Sequence, residues 1–150
     1  MSSPNPQVQP IRFELHSFED SAHELVPIIE SSSLVDLVEQ FEAGPGFDPS
    51  GGYAGLVLEH YRLGDLGLYL TGQQQPWPGA RVPLLGCECG EWGCWPLLAT
   101  VKIAAGIVEW SNFGQPHRPE RDYSRFGPFR FVEADYRAAV ASVASESGSK

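Results

Sequence analysis

The sequence predicts an α+β fold: an antiparallel β-sheet, meander-rich in its C-terminal half, with two main helices packed on it. Three observations carry that expectation. Period-two alternation marks strands, two segments show helical spacing, the first of them between capping signals, and the order strand, strand, helix, several strands, helix is that of an α+β domain. At 150 residues the chain fits one domain, since domains of about 100 to 200 residues bury a core without staples.

The first ten residues, "MSSPNPQVQP", and the tail from 146 to 150 are small, polar and aperiodic, so the expected globular unit spans 11 to 145 with both ends disordered. "IRFELHSF" alternates Ile11, Phe13 and Leu15 against Arg12, Glu14 and His16, a strand with one wet face. "ELVPIIE" is apolar and β-branched, but Pro27 points to an edge or bulged strand. Ser33 is a helix N-cap with Asp36 three residues on. Leu34, Leu37, Val38 and Phe41 follow at helical spacing, Gly44 is the stop, and Glu39 and Glu42 fall on the solvated face. "PGFDPSGGYAGL" is a loop. Gly64, Gly67 and the alternation of Leu66, Leu68 and Leu70 favour a short strand in the next apolar stretch, and "QQQPWPGARVP" is a second loop, long enough to bind. Strands then follow in "VPLLGCECG", "CWPLLATVKIA", "GIVEWSNF" after a tight Ala105-Gly106 turn, and "PFRFV". The closing helix "EADYRAAVASVASE" counts Ala134, Ala138, Val140, Ala141 and Ala144 among its apolar positions.

Charge narrows the function classes. Through Asp65 there are eleven acids against Arg12 and Arg62, and beyond it eight acids balance eight bases, so the net charge of −9 resides in the first half. Such a field repels phosphate backbones and anionic lipid, which argues against unaided nucleic-acid or membrane binding and favours a basic protein partner. No apolar run approaches the roughly 20 residues of a spanning helix. The N-terminus carries no signal-peptide pattern, and the odd count of three cysteines cannot close a disulfide framework. The expected location is the cytoplasm.

All three cysteines fall within "GCECGEWGCWP". On a strand Cys87 and Cys89 point to one face, and the glycines of "GEWG" can turn the chain so that Cys94 returns to the same point. Three readings stay open. The thiols pack as small hydrophobes; or they bind zinc at about 2.3 Å with His117 as the fourth ligand and His60 as its runner-up; or Cys94 is a nucleophile or redox centre with His117 as base and Asp122 as orienting acid. Glu88 and Glu91 disfavour the thiolate that the last reading needs.

Of the four tryptophans, at 77, 92, 95 and 110, Trp77 and Trp92 are candidate partner-binding anchors, with core filling as the plainer alternative. Arg118, Arg121, Arg125 and Arg130 sit among aromatic residues, but Glu120 and Asp122 interrupt them. Pairing with the acidic first half is the expected use of these bases. His16, His23 and His60 lack metal-ligand spacing and are expected in solvent. No short motif of a common enzyme class occurs.

The stretches "LLGCECGEWGCWPLLATV", "VEWSNFGQPHR" and "DYSRFGPFRFVEADYRAAV" resemble a family of small uncharacterised bacterial proteins with a CxCGxxGCWPL turn, a WxxFxQPHR segment and an FGPFxF strand leading into a terminal helix. The resemblance spans roughly residues 52 to 140. It implies that Cys87, Cys89, Cys94, Trp110 and His117 belong to one pattern, and it brings no established activity. The sequence thus points to a small acidic binding or interaction protein, regulatory or immunity-like, with a structural zinc as an option. The alternative is a thiol- or metal-dependent enzyme using Cys94 and His117.

Overall fold

The first strand, β1 (Ile11–Ser17), turns Ile11 and Phe13 into the core and leaves Arg12 and His16 in solvent, the alternation its sequence shows. The computed structural model describes residues 8–17, 22–47, 51–57, 66–71, 81–87, 96–116, 118 and 120–146. After β1 come β2 (His23–Ile29), β3 (Ser32–Ser33), α1 (Leu34–Ala43), β4 (Tyr53–Ala54), β5 (Leu56–Val57) and α2 (Leu66–Leu70). The second half holds β6 (Val82–Cys87), β7 (Leu97–Ala104), β8 (Ile107–Gly114), β9 (Phe129–Val132) and α3 (Glu133–Glu146). Every strand pairing is antiparallel, so the expected α+β class holds.

Two sheets form. One has the order β1-β2-β3 with β5 also on β2, and the other runs β4-β6-β7-β8-β9. They share a seam: β4 and β5 are one extended segment broken at Gly55, its first half paired to β6 and its second to β2. A Cβ on Gly55 would collide with the carbonyl of Leu25, and its N–H donates to Glu24 Oε1 at 2.8 Å, so only glycine lets the segment lie this close to β2. At the far side Gln9 N–H donates to the Arg130 carbonyl at 2.9 Å, tying the approach to β1 onto β9.

Pro27 does not make β2 an edge. That strand is interior, with β1 on one side and β5 and β3 on the other. The reason is local: β5 covers Glu24 and Leu25, β3 covers Ile28 and Ile29, and Pro27 falls in the gap between them. The Glu30 N–H bond to the Pro10 carbonyl sets the alternation along β1–β2, which turns the Pro27 nitrogen away from β1 and into that gap. A residue without an N–H therefore costs no ladder bond there.

The stretch expected as a strand around Leu66, Leu68 and Leu70 is the short helix α2. It buries Leu66, Tyr69 and Leu70 at spacings of three and four and leaves Leu68 exposed. Tyr69 decides between the two periods, and its hydroxyl donates to the Pro83 carbonyl at 2.5 Å. In α1, Ser33 Oγ accepts from Asp36 N–H at 3.1 Å, the expected N-cap. Glu42, however, does not face solvent: Leu34, Val38 and Glu42, four residues apart, form the buried face. In α3 the buried face is Tyr136, Val140 and Val143, while Ala134, Ala138 and Ala141 are exposed and Ala144 is half-buried. The large side chains prevail over the alanines because burial scales with apolar area.

The β7–β8 hairpin turns on Ala105 and Gly106, both at positive φ (54° and 76°), as a twist-matched two-residue turn requires. Between Leu98 and Thr100 of β7 the register against β8 shifts, and on β8 Asn112 takes φ 58°. That bulge switches the inward set from Val108 and Trp110 to Phe113. At the core's centre Trp110 meets Phe131 edge-on at 5.0 Å and Tyr136 at 6.0 Å. Trp110 is thus a core residue.

Candidate functional site

The most organised polar site among the described residues surrounds the carboxylate of Glu42, which is fully buried. α1 presents it inward at the turn after Val38, and two other segments, 51–53 and 121–123, supply its partners. Tyr53 of β4 donates its hydroxyl to Oε2 at 2.6 Å, and Tyr123 donates to the same oxygen at 2.5 Å. The Gly51 N–H donates to Oε1 at 2.8 Å. Gln115, just past β8, donates Nε2 to the Tyr53 hydroxyl at 3.1 Å. Arg121 brings Nη1 to 3.4 Å of Oε2 with its side chain only 4% exposed, and its guanidinium lies over the Phe47 ring at 4.8 Å. A buried carboxylate needs such company, because an isolated ion is expelled from an apolar interior.

The electrostatics fix the direction of each bond. Burial first, and then the carboxylate that accepts its proton, push the Tyr53 phenol above its ordinary value, and the same two causes raise Tyr123. Both phenols therefore stay protonated at neutral pH and donate. This chemistry suits clamping rather than proton abstraction, since a phenol held neutral beside a carboxylate is a poor base. Arg121 also realises the expected pairing of a C-terminal base with the acidic first half. Arg130, by contrast, pairs with Glu109 at 2.9 Å.

The cysteine segment begins at this clamp. Cys87 closes β6, opposite Tyr53 of β4, and directly opposed residues of an antiparallel pair share a face. Cys87 is buried, with 8% of the residue exposed. Cys89, Cys94 and His117 lie outside the described residues, as do His60, Trp77 and Trp92. Among the described residues no three His, Cys, Asp or Glu side chains converge as a metal would need. Asp122 is at the surface, where the Ser124 N–H donates to Oδ1 at 2.9 Å and holds the carboxyl below the usual range. With Phe41, Phe47 and Arg125 it rims a cavity of about 640 Å3 beside the C-terminal end of α1. His16 and His23 are exposed.

Sequence reasoning placed Glu42 on the wrong face and passed over Tyr53, Gln115 and Tyr123. The spacing of Leu34, Val38 and Glu42 was the available signal, because residues four apart on a helix share a face whatever their polarity. Comparison of the chain with protein-family models, with curated proteins and with solved structures yields no match. Among the described residues no helix is long and apolar enough to cross a membrane.

Proposed function

We propose that this protein is an acidic interaction module, regulatory or immunity-like, that binds a basic protein partner through the solvent face of α1. The carrying observation is how the first-half acids are disposed. Glu42 is answered inside by Arg121, Glu14 is answered by Arg12 at 2.7 Å and by His16, and Glu24 accepts the Gly55 N–H. Asp36 and Glu39 are exposed, one helical step of three apart, and no described cation pairs with them. Carboxylates on one helix face attract a basic surface and steer its approach.

The proposal includes a structural zinc on Cys87, Cys89, Cys94 and His117. In its favour, Cys87 is anchored on a paired strand beside the clamp, a fixed starting point for the other ligands. Protein purified without added metal is expected to carry zinc one-to-one and to melt lower with a chelator. A metal-free chain with an unchanged melting temperature removes zinc from the proposal.

The α1 surface is tested by anisotropy titrations of a labelled Lys/Arg-rich peptide across a salt series. The expected result is salt-sensitive binding that falls about tenfold in Asp36→Asn/Glu39→Gln, two neutralised charges at about 0.5 to 1 kcal/mol each. Equal affinity of the variant and the parent chain would overturn the α1 assignment.

A further inference from the structure

We propose that β1 is a self-pairing edge, and that a second copy of this chain adds its own β1 to it antiparallel about a two-fold axis through Phe13. Three observations on the outer side of β1 lead there. First, among the described residues β1 is the terminal strand of its sheet, with β2 on one side and no strand on the other. Second, the bond from Glu30 N–H to the Pro10 carbonyl fixes which residues face which way. Arg12 and Glu14 direct their backbone groups to β2, opposite Ile28 and Val26, while Ile11, Phe13 and Leu15 direct theirs outward. Gln9 belongs to the same outward set, and its N–H is the one that reaches Arg130 of β9.

Third, a groove of about 670 Å3 runs along this edge between β1 and α3. Every residue from Ile11 through His16 lines it. A strand seen face-on shows alternate residues, so six in a row mean that the groove exposes the strand edge itself. The opposite wall is α3, where Ala138, Ala139 and Ser142 are small enough to leave room above the backbone. An open edge beside a helix is the geometry in which an added strand docks through main-chain hydrogen bonds.

Charge selects the occupant. Antiparallel pairing must set the outward residues against outward residues, which leaves one self-register centred on each residue from Arg12 to Leu15. An axis through Arg12 opposes Arg12 to Arg12 of the partner subunit, and an axis through Glu14 opposes two carboxylates. The axis through Leu15 opposes Glu14 to His16 of the partner subunit but carries Arg12 past the end of the strand at Ser17, leaving it without an opposite residue in β1. The axis through Phe13 opposes Arg12 to Glu14 of the partner subunit, twice by symmetry, on the solvent face where both side chains lie. The same register pairs Phe13 with Phe13 of the partner subunit, and Ile11 with Leu15 of the partner subunit, as exchange pairs. The strand is thus self-complementary in backbone and in charge, as a two-fold interface requires.

Sedimentation over a wide concentration range tests this on the full chain. The expected result is a reversible shift from 16.4 kDa toward twice that mass, with amide exchange at Phe13 and Leu15 slowing as dimer forms. Arg12→Glu sets carboxylates against Glu14 of the partner subunit and is expected to weaken the dimer about tenfold or more, as is Glu14→Arg, while R12E/E14R together restore it. Both positions lie on the solvent face, and circular dichroism checks that each variant keeps the parent fold. A chain that stays at 16.4 kDa throughout overturns the proposal and makes Arg12, Glu14 and His16 guards against edge pairing. Single swaps without effect, a double swap that fails to restore, or protection of Phe13 and Leu15 only by an added extended peptide overturn it as well.

Discussion

Two buried nodes centred on tyrosine hydroxyls hold different parts of the molecule, and they solve the same problem by different physics. At one, the Tyr53 and Tyr123 phenols and Arg121 converge on the ionisable carboxylate of Glu42. At the other, the Tyr136 hydroxyl accepts from Trp110 Nε1 at 3.2 Å and donates to the Leu70 carbonyl, joining α3, β8 and α2 without a carboxylate. The neutral node sits inside the aromatic core, where Phe13, Trp110 and Phe131 surround Tyr136, and packing supplies most of its stability. The Glu42 node joins α1 to β4 and to the loop around 121–123, a region with fewer ladder bonds. A charge pair contributes little net stability once its desolvation is counted, but it penalises any arrangement that separates its members. The difference assigns bulk stability to the Trp110 side and geometric definition, including the position of Cys87, to the Glu42 side.

The largest expected effect comes from breaking the Glu42 node unevenly. Glu42→Leu leaves the Arg121 guanidinium buried without its carboxylate and strips both phenols of their acceptor, and about 3 to 5 kcal/mol of stability is expected to disappear. Glu42→Leu combined with Arg121→Met removes the unpaired guanidinium but leaves the two phenols and the Gly51 N–H without the carboxylate, so it is expected to regain only part of that loss, about 1 to 2 kcal/mol. Urea unfolding of the three chains measures both. If the single change costs under about 1 kcal/mol, the guanidinium reaches water on its own and the node does not define geometry.

What the sequence made legible follows the range of the interactions involved. Alternation placed β1, and the β-rich composition from Val82 onward placed β6 to β9; the Ala105-Gly106 turn and the Ser33 cap were readable because their causes lie within four residues. The α2 helix was not, because in five residues alternation and helical spacing share Leu66 and Leu70, and Tyr69 alone separates them. Pro27 misled in the opposite direction: its cost depends on what lies across the sheet, and the gap between β3 and β5 is set by chain far from it. Glu42 was misplaced for a similar reason. Polarity argues for solvent until partners from 53, 121 and 123 are known, and their separation in sequence hides them. Of the three cysteines, Cys87 lies among the described residues, buried and opposite Tyr53.

A smaller effect, at alkaline pH, is shared by the two nodes. The phenols of Tyr53, Tyr123 and Tyr136 are all raised above the ordinary value of 10.0, Tyr136 by burial and the other two by burial and then by Glu42. For an acid whose folded value is raised, stability is fully present below the unfolded value and is lost as pH climbs above it, because the unfolded chain releases protons that the folded chain keeps. Stability should therefore be insensitive to these groups up to about pH 10 and fall beyond it. Tyr136→Phe removes one such group and also leaves Trp110 Nε1 without its acceptor, so it should cost about 1 to 3 kcal/mol at neutral pH and flatten the alkaline slope by about one proton. Tyr53→Phe should flatten the slope similarly at a comparable neutral cost: Tyr123 and Arg121 still serve the carboxylate oxygen, but Gln115 Nε2 loses the hydroxyl it donates to. Denaturant unfolding at a series of pH values reads both quantities. An unchanged alkaline slope in both variants would mean that these phenols ionise in the folded chain as readily as in the unfolded one, and burial would then not be what keeps their protons in place at either node.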